Sequence, residues 1–144
     1  MVRSRFLTPE HIIAAMKKGD FYASSGVTLN QIEVKDGKLS IQIEAKPNVT
    51  YVTQFIGTLE GYDDTATPRR DKNGKLIRAT KKHSKDVGRV LSKVTGLQPS
   101  YQMTGKELYV RAIITSSKAH PDPSLPGQFE QAWTQPVGWE KRVK

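Results

Sequence analysis

Apolar residues change their spacing along the chain, and each change marks a different kind of element. Between Thr8 and Lys18 they recur at Ile12, Ile13 and Met16, which puts them on one face of a helix. Thr8 suits the N-cap, and Pro9 suits the first helical position, where its missing N–H needs no partner. Leu7 and Ile12 stand where a hydrophobic staple would close over that cap. Lys17 and Lys18 put positive charge in the last turn, and Gly19 can take the left-handed conformation that ends a helix. Phe21 to Ala23 then read as the start of a strand, and Ser24-Ser25-Gly26 as a turn of small residues.

After Gly26 the period becomes two. Ile32 and Val34, then Leu39, Ile41, Ile43 and Ala45, alternate with polar residues, and Asp36-Gly37 between the runs predicts an antiparallel hairpin with one wet face. Lys46-Pro47-Asn48 ends it. Residues 49–59 are β-branched and aromatic enough for a long strand, with Gly57 marking a bulge. Asn48-Val49-Thr50 has the spacing of a glycosylation acceptor and is read as that strand's start. Val87, Val90, Leu91 and Val94 fit a helix as well as a strand, and the valines favour a strand. Residues 96–104 give a short strand containing Tyr101. Residues 106–116 give a clear one with Leu108, Val110, Ala112 and Ile114 facing inward. Three prolines make 120–127 an exposed loop, and 129–137 returns as an edge strand ended by Pro136, with Trp139 folding back on it. Short strands and hairpin turns behind one N-terminal helix predict a mainly β fold, an antiparallel β-sandwich, with a partly open barrel as the alternative.

Composition narrows the class. With 36% hydrophobic and 26% charged residues in 144, the chain suits one globular domain and contains no run of about 20 apolar residues that could span a membrane. The absence of cysteine excludes disulfides, thiolate metal sites and a thiol nucleophile. The start lacks the apolar run of a signal peptide, and localisation is left open.

Charge is concentrated in one place. From residue 69 to 93 stand Arg69, Arg70, Lys72, Lys75, Arg78, Lys81, Lys82, Lys85, Arg89 and Lys93, against Asp71 and Asp86, which accounts for nearly all of the net +9. Residues 61–86 form a polar stretch read as a long loop or frayed hairpin. Asn73-Gly74 would tie residues 69–71 to 76–80 as an excursion from the sheet.

Candidate chemistry is thin. Phosphoester hydrolysis on divalent metals needs several converging His and carboxylate ligands, and the chain has His11, His83 and His120 alone. His11 has no partner His at helical spacing, His83 sits among cations that oppose a metal, and His120 with Asp122 lies in a proline-rich loop. Ser24 and Ser25 lack a nucleophile elbow, and Asp63-Asp64 read as solvated loop carboxylates. No catalytic or metal-binding residue is assigned.

The run AMKKGDFYASSGV, residues 15–27, resembles the helix and strand that close the barrel of the metal-dependent phosphoesterases known as PHP proteins. DGKLSIQIEA, TQFIG, SYQMTGKELYVRAIITS and AWTQPV resemble successive strands of the β-rich domain that follows the barrel in certain bacterial PHP-like proteins. The matching residues are Gly19, Phe21, Tyr22, Ser25 and Gly26, then Tyr109, Val110 and Arg111, then Trp133, Gln135 and Pro136. The family's His-x-His motif is absent. The resemblance implies that residues 1–26 correspond to the end of a barrel and 27–144 to a non-catalytic sandwich that braces the barrel or shapes access to it. Divalent metal is implied for the parent barrel only.

Three partner readings follow. The first is a parent catalytic barrel, or self-association, engaged through the N-terminal helix. The second is a polyanion such as nucleic acid, bound weakly and without sequence preference through Arg69, Arg70, Lys72, Lys75, Arg78, Lys81, Lys82, Lys85 and Arg89. The third is carbohydrate, met by Trp133, Trp139 or Tyr62.

Overall fold

The computed structural model describes residues 1–139; the end of the expected sandwich segment, 140–144, lies outside them. In chain order the elements are α1 (Pro9–Lys17), β1 (Ala23–Ser24), β2 (Leu29–Lys35), β3 (Lys38–Ile43), β4 (Tyr51–Leu59), β5 (Ala66–Arg70), β6 (Leu76–His83), β7 (Arg89–Thr95), β8 (Ser100–Gln102), β9 (Glu107–Ala119) and β10 (Phe129–Trp133). A five-stranded sheet of order β1-β10-β9-β4-β7 faces a three-stranded sheet of order β2-β3-β8, and β5-β6 forms a separate two-stranded ribbon. All ladders are antiparallel. The fold is a β-sandwich with one helix, and no sheet among the described residues closes into a barrel.

The core lies between the two larger sheets. Tyr51, Phe55, Val110, Ala112, Ile114 and Ala132 come from the five-stranded sheet, and Leu39, Ile41, Ile43 and Leu29 from its partner. Phe55 stacks on Tyr101 at 5.6 Å between ring centroids, which ties β4 to β8 across the sandwich. Tyr22 and Val27 fill the same core from the segment after α1, and β1 pairs Ala23 with Trp133 and Ser24 with Ala132. Asp36 and Gly37 both have positive φ, 50° and 72°, the tight turn that suits the right-handed twist of β2 and β3.

Several local expectations are corrected. Thr8 is the N-cap residue but makes no side-chain cap bond; its Oγ1 instead shares a 2.8 Å hydrogen bond with His11 Nδ1. Leu7 is 92% exposed, so it staples nothing. Phe6 takes that place, packing edge-on against the His11 ring at 5.0 Å. At the other end of α1, Gly19 at φ +77° donates to Met16 O while Asp20 donates to Ala15 O, a Schellman stop as expected from the glycine.

Gly57 sits beside the irregularity rather than in it. The β4–β7 register shifts between Phe55 and Ile56, and Gly57 is needed for close approach: a Cβ there would stand 2.4 Å from Tyr109 O. Leu108 is half-buried, because the β4–β9 register shifts after Thr58 and sets Glu107, not Leu108, opposite Leu59. The last strand stops at Trp133 and has β1 on its far side, so it is not the sheet edge; Val137 continues by bridging Val110. Trp139 is 45% exposed. Of the loop and hairpin alternatives for the basic segment, the hairpin is present, a ribbon apart from both larger sheets that turns at Asn73-Gly74 and whose second strand runs on to His83.

Candidate polyanion interface

The ribbon is built by its turn and its base. At the tip, Asp71 Oδ1 accepts hydrogen bonds from Asn73 N and Lys75 N, both 2.9 Å, and Gly74 at φ +78° donates to Asp71 O. Asp71 is thereby committed to the turn. At the base, Asp63 Oδ1 accepts from Thr65 N at 2.9 Å, Ser84 Oγ donates to Asp63 O, and Asp86 Oδ2 accepts from Asp63 N at 3.3 Å. The bond from the Thr65 backbone, followed by its side chain, holds the Asp63 carboxyl below its ordinary range. An isolated two-stranded hairpin is marginal in water, and this clamp is what anchors it. The run Asp63-Asp64 is thus half explained, with Asp63 holding the loop in shape.

All nine cations singled out by sequence are exposed. Arg69 and Arg70 lie on β5, Lys72 and Lys75 in the turn, Arg78, Lys81 and Lys82 on β6, Lys85 just beyond, and Arg89 at the start of β7. Register brings some of them together. Arg69 is directly opposite Arg78, Thr67 opposite Lys82, Pro68 opposite Lys81 and Ala66 opposite His83, with the register shifting between Pro68 and Arg69. Arg70 Nη1 donates to Gly74 O at 2.8 Å, so it braces the tip. Arg89 approaches Asp86 at 3.9 Å, a loose exposed pair worth little. Among the described residues no carboxylate lies within ion-pair distance of Arg69, Arg78, Lys81 or Lys82.

The histidines do not converge. His11 is on α1, His83 ends β6, and His120 Nδ1 accepts from Asp122 N at 3.1 Å inside its own loop. Among the described residues no group of three His, Asp or Glu is placed to share a cation. Trp133 pairs with Ile113, level with Gln54 of β4, while Tyr62 follows the far end of that strand, about 17 Å along at the usual rise. Trp133 and Tyr62 therefore do not form one platform.

Two buried carboxylates went unmarked in the sequence. Glu130 is 4% exposed and takes Lys118 Nζ at 2.8 Å and Lys46 Nζ at 3.5 Å, while Lys46 also donates to Gly26 O. The Lys118 hydrogen bond outweighs burial and, with Lys46, holds the Glu130 carboxyl below its usual range. Glu107 receives Tyr101 Oη at 2.7 Å, Thr104 Oγ1 at 3.0 Å and Gly105 N at 3.1 Å. Burial works to raise its pKa, but the bonds from Tyr101 and Thr104 prevail and lower it. Burial, with the Glu107 bond, pushes the Tyr101 hydroxyl up to about 12. For Glu130 the available signal was an acid alternating with Ala132 on one strand; Glu107 stood out of phase with Val110 and Ala112 and offered none. Both networks tie strands and loops together and leave no free acid or base aimed at a cavity.

Compared with known proteins, the chain matches no family model, no curated protein and no solved structure.

Proposed function

We propose that this chain is a non-catalytic β-sandwich module that works seated against a catalytic body, which the sequence resemblance suggests is a PHP-like metal-dependent phosphoesterase barrel. One observation carries this reading: the uncovered apolar face of α1. Ile13 is 52% exposed, Met16 49% and Phe6 50%, while Ala15 alone on the helix is buried. The segment that follows is firmly packed, with Tyr22 in the core and the Met1 amino group bonded to Tyr22 O at 3.0 Å. A helix held at its end, with Ile12 half-buried and Ala15 buried but Ile13 and Met16 bare, suits a contact supplied by something else. Past the C-terminal end of α1 opens a cleft of about 750 Å³ lined by Met1, Arg3, Asp20, Asn30, Glu33 and Gln135. In this reading any divalent metals belong to the barrel. The test is genetic and direct: a His-x-His barrel encoded in frame before Met1, or in an adjacent gene whose product co-purifies with this chain, supports the reading. Neither being present would overturn it.

A second reading is favoured by a separate observation, the exposed and unneutralised ribbon. It makes the chain a polyanion-binding module through β5, β6 and their turn. Reversing Lys81, Lys82 and Lys85 to Glu should abolish binding to heparin or nucleic acid without unfolding the sandwich.

A further inference from the structure

We infer that the β5–β6 ribbon is shaped to enter the major groove of B-form duplex DNA, a step that rests on the polyanion reading and names its ligand. The first ground is shape. Every residue of β6 is exposed, and β5 and β6 pair with each other and with no other strand. The ribbon therefore offers both faces and both edges to a ligand. Eight residues of β6 extend about 26 Å at roughly 3.3 Å per residue, and a major groove about 12 Å wide admits a two-stranded ribbon.

Charge placement is the second ground. A flat anionic surface needs cations on one side of the ribbon. Here Lys81 and Lys82 alternate to opposite faces of β6, Arg69 and Arg78 stand opposite each other beyond a register shift, and Lys72 and Lys75 hold the tip. A ligand with phosphates on both sides of an inserted element meets that distribution, and a groove has phosphates along both walls. The opposed Arg69 and Arg78 repel each other when alone, and an anion between or above them relieves that repulsion. Their guanidinium groups can also pair in bidentate fashion with phosphates or guanine edges.

The third ground separates duplex DNA from other nucleic acids. Single strands are held by stacking bases on aromatic rings, and residues 66–85 contain no Phe, Tyr or Trp. The major groove of A-form RNA is deep and too narrow for side chains to read. What remains is B-form duplex, approached by charge and by groove width.

The experiment uses the whole chain and measures binding by fluorescence anisotropy. The probes are a duplex DNA of about two helical turns, its single strand, the same sequence as duplex RNA, and heparin, over a series of salt concentrations. The inference expects the DNA duplex to bind about tenfold more tightly than the single strand or duplex RNA at equal phosphate. It also expects displacement by a major-groove dye such as methyl green and none by the minor-groove binder netropsin. Arg69→Ala with Arg78→Ala should reduce the slope of log affinity on log salt by about 1.8, two phosphate contacts at about 0.9 each, with the melting temperature unchanged. Equal binding of all four probes, or displacement by netropsin, would overturn the groove assignment while leaving the polyanion reading standing. No binding to any probe at low salt would overturn both.

Discussion

Arg69 and Arg78 lie directly opposite each other across the β5–β6 ladder, two like charges in register on a ribbon with no acid within ion-pair reach among the described residues. Opposed like charges destabilise a strand pair, so this arrangement works against the ribbon's own stability. Arg78→Glu converts repulsion into attraction. Hydrogen exchange of the β5 and β6 amides should then slow, by an amount corresponding to about 0.2–1 kcal/mol. Affinity for heparin or duplex DNA should fall in the same variant. A charge pair with no ligand role would change the first measurement and not the second.

Glu130 and Glu107 make folding sensitive to acid. Both carboxyls are lowered in the folded protein, so each contributes stability above the ordinary Glu value of about 4.3, and that contribution disappears as pH falls through the lowered folded value. Melting temperature should hold near neutral pH and drop as the solution is acidified below about pH 4.3. Glu130→Gln should cost about 1–3 kcal/mol at neutral pH, because Lys118 and Lys46 lose the carboxylate charge they share and one of them meets an NH2 group in place of an oxygen, and should flatten that acid limb. Tyr101 acts in the opposite direction. Its pKa is raised, so its contribution is present below about 10 and is lost as pH rises towards about 12.

Two glycines are fixed for different reasons, one by a neighbour and one by its own backbone. Gly57→Ala would place a methyl group 2.4 Å from the Tyr109 carbonyl oxygen, which is backbone and cannot step aside. A loss of about 1–3 kcal/mol is expected from forcing β4 and β9 apart, seen as a lower melting temperature. Gly61→Ala has open space but a φ of +71°, so its cost is the smaller one of left-handed backbone. If the two variants melted alike, the close packing of β4 on β9 at Gly57 would be contradicted.

The strands were readable where a local rule settles them. Asp36-Gly37 forces a tight turn, and the alternation of Leu39, Ile41 and Ile43 then assigns the buried face with no help from distant residues. Val110, Ala112 and Ile114 obeyed the same alternation. Leu108 did not, because its orientation depends on a register shift opposite Thr58 and Leu59, nearly fifty positions earlier in the chain. Glu130 is buried because Lys46, distant in sequence, folds over it, a partnership that composition and period cannot carry. The cations of the ribbon were legible as a cluster. Their mutual placement was not, since the pairing of Arg69 with Arg78 lies between two shifts in the β5–β6 ladder.

The claim that this module is made to seat against another body stands or falls on the apolar face of α1. Ile13 and Met16 are each about half exposed, so replacing both by serine removes little buried surface from the monomer. The measurement is sedimentation velocity paired with thermal melting, on the native chain and on Ile13→Ser with Met16→Ser. The account predicts concentration-dependent association of the native chain that the double variant loses, with a melting temperature nearly unchanged. A native chain monomeric at every concentration, together with a large fall in the variant's melting temperature, would contradict it: that face would then serve the fold itself and not a partner.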